Sequence, residues 1–180
     1  MVEMKDLFPP EFATLIASGI NRWSNLEYDL HATIWELADV RPALGACMTA
    51  QIFTTNAKLD TLLSLLKLRS ADQKLIDRVN KFSSTVRPAL EARNRMGHDL
   101  WLKDKLNPSG MGKLRITAAK KLDFKIETVT VEQLTADVEK IEQAQIDFHN
   151  IRVAILDAIP TLPEMSPTAL HPISETLKRP

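Results

Sequence analysis

The stretch from Glu91 to Trp101, EARNRMGHDLW, contains the residues of this chain whose types and spacing could do chemistry. On a helix, Asn94 and His98 are four residues apart and therefore share a face, and Arg95 can lean over the same site. An imidazole exchanges protons near neutral pH, and a guanidinium is suited to holding a phosphate. The spacing therefore predicts a phosphate site, with an ordinary exposed helix end as the alternative.

Arg93 differs from its neighbours because its spacing continues the apolar stripe that runs through Phe82 and Val86 to Met96. A guanidinium in a buried seam needs an anionic partner, since breaking a buried ion pair costs about 3–5 kcal/mol. Two partners are open: Glu27, beside the apolar stripe of the first predicted helix, or a phosphate. Glu27 itself is either solvated at the edge of that stripe or faces a buried cation.

The segment 87–125 is the basic part of a chain whose net charge is zero. It has ten basic and four acidic residues, so its local charge is +6. A polyanion would be drawn to this segment rather than elsewhere. The alternative is a solvated, lysine-rich hairpin. Nothing in the overall charge favours nucleic-acid binding, so any such role needs this local patch.

Several site classes are absent from the sequence. The four histidines show no metal-ligand spacing, the five glycines form no phosphate-binding loop, and no serine has a nucleophile-elbow context. We therefore expect no metal and no cofactor. The single cysteine, Cys47, excludes an intrachain disulfide and fits a reducing compartment. Its apolar neighbours predict a packed thiol.

The chain is predicted to be cytoplasmic, because its first residues have mixed charge and do not resemble a signal peptide. No uninterrupted apolar run approaches the roughly 20 residues that a membrane span needs.

Apolar residues at steps of three and four predict four long helices with one buried stripe each. These cover about 10–39, 42–69, 71–100 and 131–159. Pro88 should kink or break the third helix. Capping boxes are predicted at Ser70–Gln73 and Thr130–Gln133.

The predicted fold is mainly α, a four-helix bundle in a single domain over 1–160. Residues 100–128 lose the helical period and predict a small β-hairpin insertion, or three short strands, before the last helix. The proline-rich tail, 161–180, should be extended or disordered.

The motif Arg93-Asn94-Arg95-Met96-Gly97-His98 resembles that of the HEPN (higher eukaryotes and prokaryotes nucleotide-binding) domain family. That motif is an arginine, a polar residue and then a histidine near the end of a bundle helix. The helical architecture supports the resemblance over roughly 10–159, whereas the β insertion departs from the simplest members. The resemblance implies either a catalytic protein or a non-catalytic one.

The catalytic form implied by the resemblance is a metal-independent endoribonuclease that leaves a 2′,3′-cyclic phosphate. It is usually a homodimer in which two motifs face one cleft. His98 would be the general acid/base, which assists the attack of the 2′-hydroxyl or protonates the leaving 5′-oxygen. Arg93 would hold the scissile phosphate, and Asn94 would orient the phosphate or His98. The resemblance leaves Arg95, Lys103 and Arg115 as candidate contacts to the RNA backbone, and Glu27 as a supporting residue. Such a protein could be a toxin with an antitoxin, or a defence effector.

The non-catalytic form is a helical module that binds a nucleotide or a protein partner as a dimer, for example a nucleotidyltransferase. In that form the Arg–His pair can persist as a structural hydrogen-bond network.

Overall fold

Six helices and three strands make up the part of the chain that the structure, a computed structural model, describes: residues 8–103, 110–117 and 123–159. The helices are α1 (Pro10–Ala38), α2 (Pro42–Thr49), α3 (Thr55–Leu68), α4 (Gln73–Thr85), α5 (Arg87–His98) and α6 (Val131–Ala158). The strands are β1 (Leu100–Lys103), β2 (Met111–Thr117) and β3 (Asp123–Val129). The predicted helical class is confirmed, and the predicted tail, 161–180, lies outside the described residues.

The two longest helices, α1 and α6, run parallel to each other in the centre of the fold. Ion pairs join them in the same order along both helices: Arg22 to Glu142 at 2.9 Å, Asp29 to His149 at 3.4 Å, and Glu36 to Arg152 at 2.9 Å. Both helices contribute to a buried apolar core that also includes residues of α3, α4, α5 and the sheet. Its largest side chains include Phe12, Trp23, Leu26, Leu30, Leu59, Leu62, Leu66, Leu134, Ile141, Phe148 and Ile155.

The predicted second helix, 42–69, is wrong as a single element, because α2 and α3 are separated at residues 50–54. The Thr54 side chain accepts a hydrogen bond from the Ala57 N–H and so begins a new helix. Only Gly45 and Thr49 of α2 are buried. The prediction that Cys47 is packed is therefore also wrong, and its thiol is exposed.

The break predicted at Pro88 is confirmed, since α4 ends at Thr85 and α5 begins at Arg87 with the proline in its first turn. The capping box at Thr130 and Gln133 is also confirmed.

The capping box predicted at Ser70 is wrong, because Ser70 ends α3. It has a φ of 54°, its N–H donates to the Lys67 carbonyl, and the Ala71 N–H donates to the Leu66 carbonyl. These are the bonds of a left-handed helix C-cap. Asp72 caps α4 instead, by accepting from the Lys74 N–H.

The insertion is an antiparallel sheet with strand order β1-β2-β3, so it has one strand more than a hairpin. Trp101, Met111 and Val129 lie on its inner face and are buried in the core. The register aligns Leu100, Leu114 and Ile126 in one row on the opposite, outer face. Among the described residues, no helix is both long and apolar enough to pass through a membrane.

Candidate functional site

Helix α5 positions the candidate site by packing one narrow seam of small residues against the core. Ala89, Ala92 and Met96 are its buried residues. A Cβ at Gly19 of α1 would lie 2.6 Å from the Met96 Sδ, so a larger residue there would require the Met96 side chain to shift. The seam leaves the remaining faces of α5 towards solvent, and these carry the predicted site residues.

Trp101 fixes the end of α5 against the sheet. Its Nε1–H donates to the Met96 carbonyl at 3.2 Å, and that carbonyl is one of the last in the helix, which have no partner within the helix itself. The buried Lys113 ammonium lies 5.7 Å from the centre of the Trp101 ring and 3.8 Å from the Asp99 carboxylate. Asp99 follows His98 directly, so these contacts hold the backbone beside His98 in place.

The sequence analysis did not identify Trp101, Lys113 or Asp99 as a group. The three belong to different elements, and Trp101 meets Lys113 only because β1 and β2 pair in this register. The signal available in the sequence was the alternation of inward-facing and outward-facing residues along β1 and β2. It could have shown that both residues face inwards, but not that they are cross-strand partners.

The three predicted catalytic residues come together in the structure. The Arg93 Nη1–H donates to the Asn94 Oδ1 at 3.1 Å, and Arg93 Nη1 lies 3.3 Å from the His98 Nε2. A guanidinium has only donors, so the His98 Nε2 is the acceptor and the neutral ring carries its proton on Nδ1. Asn94 and His98 are exposed, so a ligand from solvent can reach both.

The prediction that Arg93 lies in the buried seam is wrong. Ala92 and Met96 occupy the seam, and Arg93 is half-buried beside it. Ala92 continues the stripe three residues after Ala89, and its small side chain gives no apolar signal strong enough to compete with the spacing of its neighbours. Among the described residues, Arg93 has no carboxylate within ion-pairing distance.

Glu27 does not contact Arg93, so the predicted supporting pair is corrected. Its Oε1 accepts a hydrogen bond from the Lys58 Nζ at 3.0 Å, across the interface between α1 and α3. Lys58 is only 6% exposed. Of the two environments left open for Glu27, the structure therefore shows the one that faces a buried cation.

The predicted substrate-binding residues are not joined to this cluster. Arg95 is half-buried in the last turn of α5, and Lys103 is exposed at the end of β1. Within the described chain, neither makes a hydrogen bond or ion pair with Arg93, Asn94 or His98. The backbone of Arg115 lies in β2, one position beyond Leu114.

The electrostatics at this end of α5 favour cations. Arg95 and His98 lie in its last turn, where unpaired carbonyl groups give the helix a partial negative charge. An incoming phosphate gains nothing from this helix dipole. Any attraction of an anion to this end of α5 would have to come from side-chain charges, such as the guanidinium groups of Arg93 and Arg95.

A second polar cluster lies around His31 on α1. Its ring stacks on Trp35 with a centroid distance of 6.2 Å, and its Nε2 is buried without a hydrogen-bond partner in the described chain. Burial lowers the pKa of His31, the nearby Lys58 ammonium lowers it further, and the Glu27 carboxylate partly opposes both. The folded state therefore prefers the neutral ring.

This lowered pKa predicts a loss of stability in acid that depends on His31. A histidine whose folded pKa lies below its ordinary value of about 6.5 stabilises the fold fully above that value and loses the contribution as pH falls through the folded pKa. In urea unfolding at pH 7.5 and pH 5.0, we expect His31→Gln to lose less stability than the unsubstituted chain. Equal losses in the two proteins would show that His31 does not contribute.

Two grooves in the described part of the fold lie away from the Arg93 cluster. Both are open, with a volume of about 310 Å³ each, and they lie along α4, α5 and α6 and share Phe82, Thr85 and Asp147. Arg93, Asn94 and His98 line neither of them. Within the described residues, no group of three histidine, cysteine or acidic side chains could hold a metal ion. The candidate site is thus a surface cluster of polar side chains.

The functional assignment rests on the geometry of the α5 site. No family model matches this chain, and no curated protein or solved structure is significantly similar to it.

Proposed function

We propose that this chain is a metal-independent endoribonuclease of the HEPN type, acting in the cytoplasm as a homodimer. The observation that carries the proposal is the contact of Arg93 with both Asn94 and His98, at 3.1 and 3.3 Å, in an exposed cluster. A guanidinium without a carboxylate partner is a suitable binding group for a phosphate. The imidazole beside it is the usual group for proton transfer near neutral pH.

The proposed reaction is an attack of an RNA 2′-hydroxyl on its adjacent phosphorus. The His98 Nε2 already accepts a hydrogen bond, so it is the nitrogen placed to take the proton of the 2′-hydroxyl. The bond from phosphorus to the 5′-oxygen breaks, and that oxygen takes a proton from the imidazolium form of His98, so the proton removed from the 2′-hydroxyl is returned to the leaving group. The products are a 2′,3′-cyclic phosphate and a 5′-hydroxyl, so no water is consumed.

Arg93 supports this reaction through charge. To bind RNA, its guanidinium turns from His98 towards the phosphate, which frees the Nε2 at the same moment. The guanidinium then stabilises the negative charge that develops on the phosphate oxygens. Asn94 accepts from Arg93 and limits the orientations of the guanidinium. Arg95 and Lys103 extend the positive surface along the RNA backbone in this proposal.

A second candidate function is a non-catalytic module that binds a nucleotide or a protein partner, such as a nucleotidyltransferase. The same hydrogen bond favours it, because the nitrogen that would act as the base is occupied by Arg93. In that case the Arg–Asn–His cluster is a stable docking point for phosphate. A toxin or defence role, with an antitoxin as partner, belongs to the catalytic candidate.

The experiment that separates these candidates uses purified protein and a labelled single-stranded RNA in the presence of EDTA. We expect cleavage, with fragments that end in a 2′,3′-cyclic phosphate and begin with a 5′-hydroxyl. A DNA oligonucleotide of the same sequence should stay intact because it lacks the attacking hydroxyl. Binding of RNA or nucleotide without cleavage would favour the module, and fragments with a 3′-hydroxyl would exclude the proposed reaction.

A further inference from the structure

Strand β3 is an edge strand of the sheet within the described residues. It pairs with β2 on one side, and no other strand of the described chain pairs with it. Its seven residues include Phe124 and Ile126 on the outer face, whose side chains are 60% and 67% exposed. An exposed edge with apolar side chains is a template on which another strand can pair.

Two of the three charged residues of β3, Lys125 and Glu127, lie on either side of Ile126, and the third, Asp123, begins the strand. Lys125 and Glu127 share the inner face, where their Nζ and Oε1 are 2.8 Å apart. Charges of one sign on an edge would repel a second copy of the same strand. One positive and one negative residue on either side of a central residue are instead complementary to themselves.

We infer that β3 pairs antiparallel with the β3 strand of a second copy of this chain, around a two-fold axis at Ile126. In this register Lys125 lies opposite the partner's Glu127, and Glu127 lies opposite the partner's Lys125. A two-fold interface requires such reciprocal contacts. On the outer face, Ile126 contacts its own counterpart and Phe124 lies opposite the partner's Thr128, so exposed apolar side chains gain neighbours.

The paired strands would form a continuous sheet of six strands, with one α5 site beyond each end. Neighbouring strands are about 4.8 Å apart, so the two β1 strands would be separated by roughly 24 Å. Each copy would then hold a complete site. This interface differs from the shared cleft that the HEPN resemblance implies, and it does not depend on catalysis by His98.

The symmetry gives a direct test by charge reversal. We expect Glu127→Lys and Lys125→Glu each to weaken the dimer by about 10–100-fold, because like charges then face each other at two positions. An equal mixture of the two variants should form heterodimers, since each lysine pair then faces a glutamate pair. The double variant carrying both changes should dimerise again. Mass is measured by light scattering and sedimentation over a concentration series.

A matched control for Glu127→Lys is Glu139→Lys, which makes the same change in net charge at an exposed position of α6 and should leave the dimer intact. In a Cys47→Ser background, Ile126→Cys should form an intermolecular disulfide, whereas Phe124→Cys should not, because only residue 126 meets its own counterpart. The disulfide measurement tests the same register without a charge variant, so the inference stays testable if a charge variant fails to fold.

A wild-type chain that stays monomeric throughout the series would overturn the inference. So would a dimer that all the charge variants preserve, or single variants that fail to associate when mixed although both are folded. Because assembly and RNA cleavage are measured separately, failure of this interface leaves the proposed cleavage reaction standing, and absence of cleavage leaves the interface standing.

Discussion

The His98→Ala variant is expected to cleave RNA about 10²–10⁴-fold more slowly than the unsubstituted protein, which is the usual contribution of a general acid or base. Alanine removes the imidazole that contacts Arg93 and leaves the guanidinium free to bind phosphate. The loss should therefore fall on the rate at saturating protein and much less on RNA affinity. Single-turnover cleavage in EDTA and fluorescence anisotropy measure these two quantities.

The matched control for this prediction is His149→Ala. His149 is also an exposed histidine, but it lies on α6 and contacts Asp29 rather than an arginine. We expect it to retain cleavage. Because His98 is exposed, its alanine variant should also unfold at nearly the same urea concentration as the parent. Equal rates in all three proteins would remove His98 from the mechanism, and the contaminating activity of another nuclease would then have to explain the cleavage.

The Glu27→Ala variant is expected to lower the free energy of unfolding by about 2–3 kcal/mol. Lys58 is nearly fully buried, so the loss of Glu27 leaves an ammonium group without its carboxylate partner. Removing one member of a buried pair costs about 3–5 kcal/mol, and we expect less here because the Glu27 side chain is partly exposed. Urea unfolding followed by circular dichroism at pH 7.5 measures the change.

Two comparisons make the Glu27 prediction specific. Glu36 lies on α1, as Glu27 does, and forms a more exposed ion pair with Arg152 of α6. Glu36→Ala should therefore lower the free energy of unfolding by less than about 1 kcal/mol. Adding Lys58→Met to Glu27→Ala removes the stranded charge and should restore most of the lost stability. A double variant no more stable than Glu27→Ala would show that packing around residue 27, and not the buried ammonium, determines the cost.

The helix boundaries show where local sequence was sufficient. Pro88 predicts the break between α4 and α5 because a proline inside a helix removes a backbone hydrogen bond and clashes with the carbonyl four residues before it, and Thr130 with Gln133 predicts the start of α6. The capping box predicted at Ser70 was wrong because a serine can either cap the helix that follows it or end the helix that precedes it. The bonds to Lys67 and Leu66 decide this, and they depend on where α3 is already packed.

The separation of α2 from α3 has a similar cause. Leu44 and Met48 continue the apolar spacing of α3, yet both are exposed because α2 turns Gly45 and Thr49 towards Trp35. A periodic pattern records which residues are apolar, but it does not record which neighbour is available to cover them. Only the packing of Trp35 against α2 settles which face is buried.

The candidate site also has features that follow from local sequence and others that depend on packing. The sequence by itself determined that Asn94 and His98 share one face of a helix, since residues four apart are neighbours on any helix. Only the tertiary structure decided that Arg93 leaves the seam to Ala92, that Glu27 pairs with Lys58, and that Trp101 anchors the end of α5. These contacts join residues of different elements, and a rotation of one helix by a single position, about 100°, exchanges buried for exposed side chains.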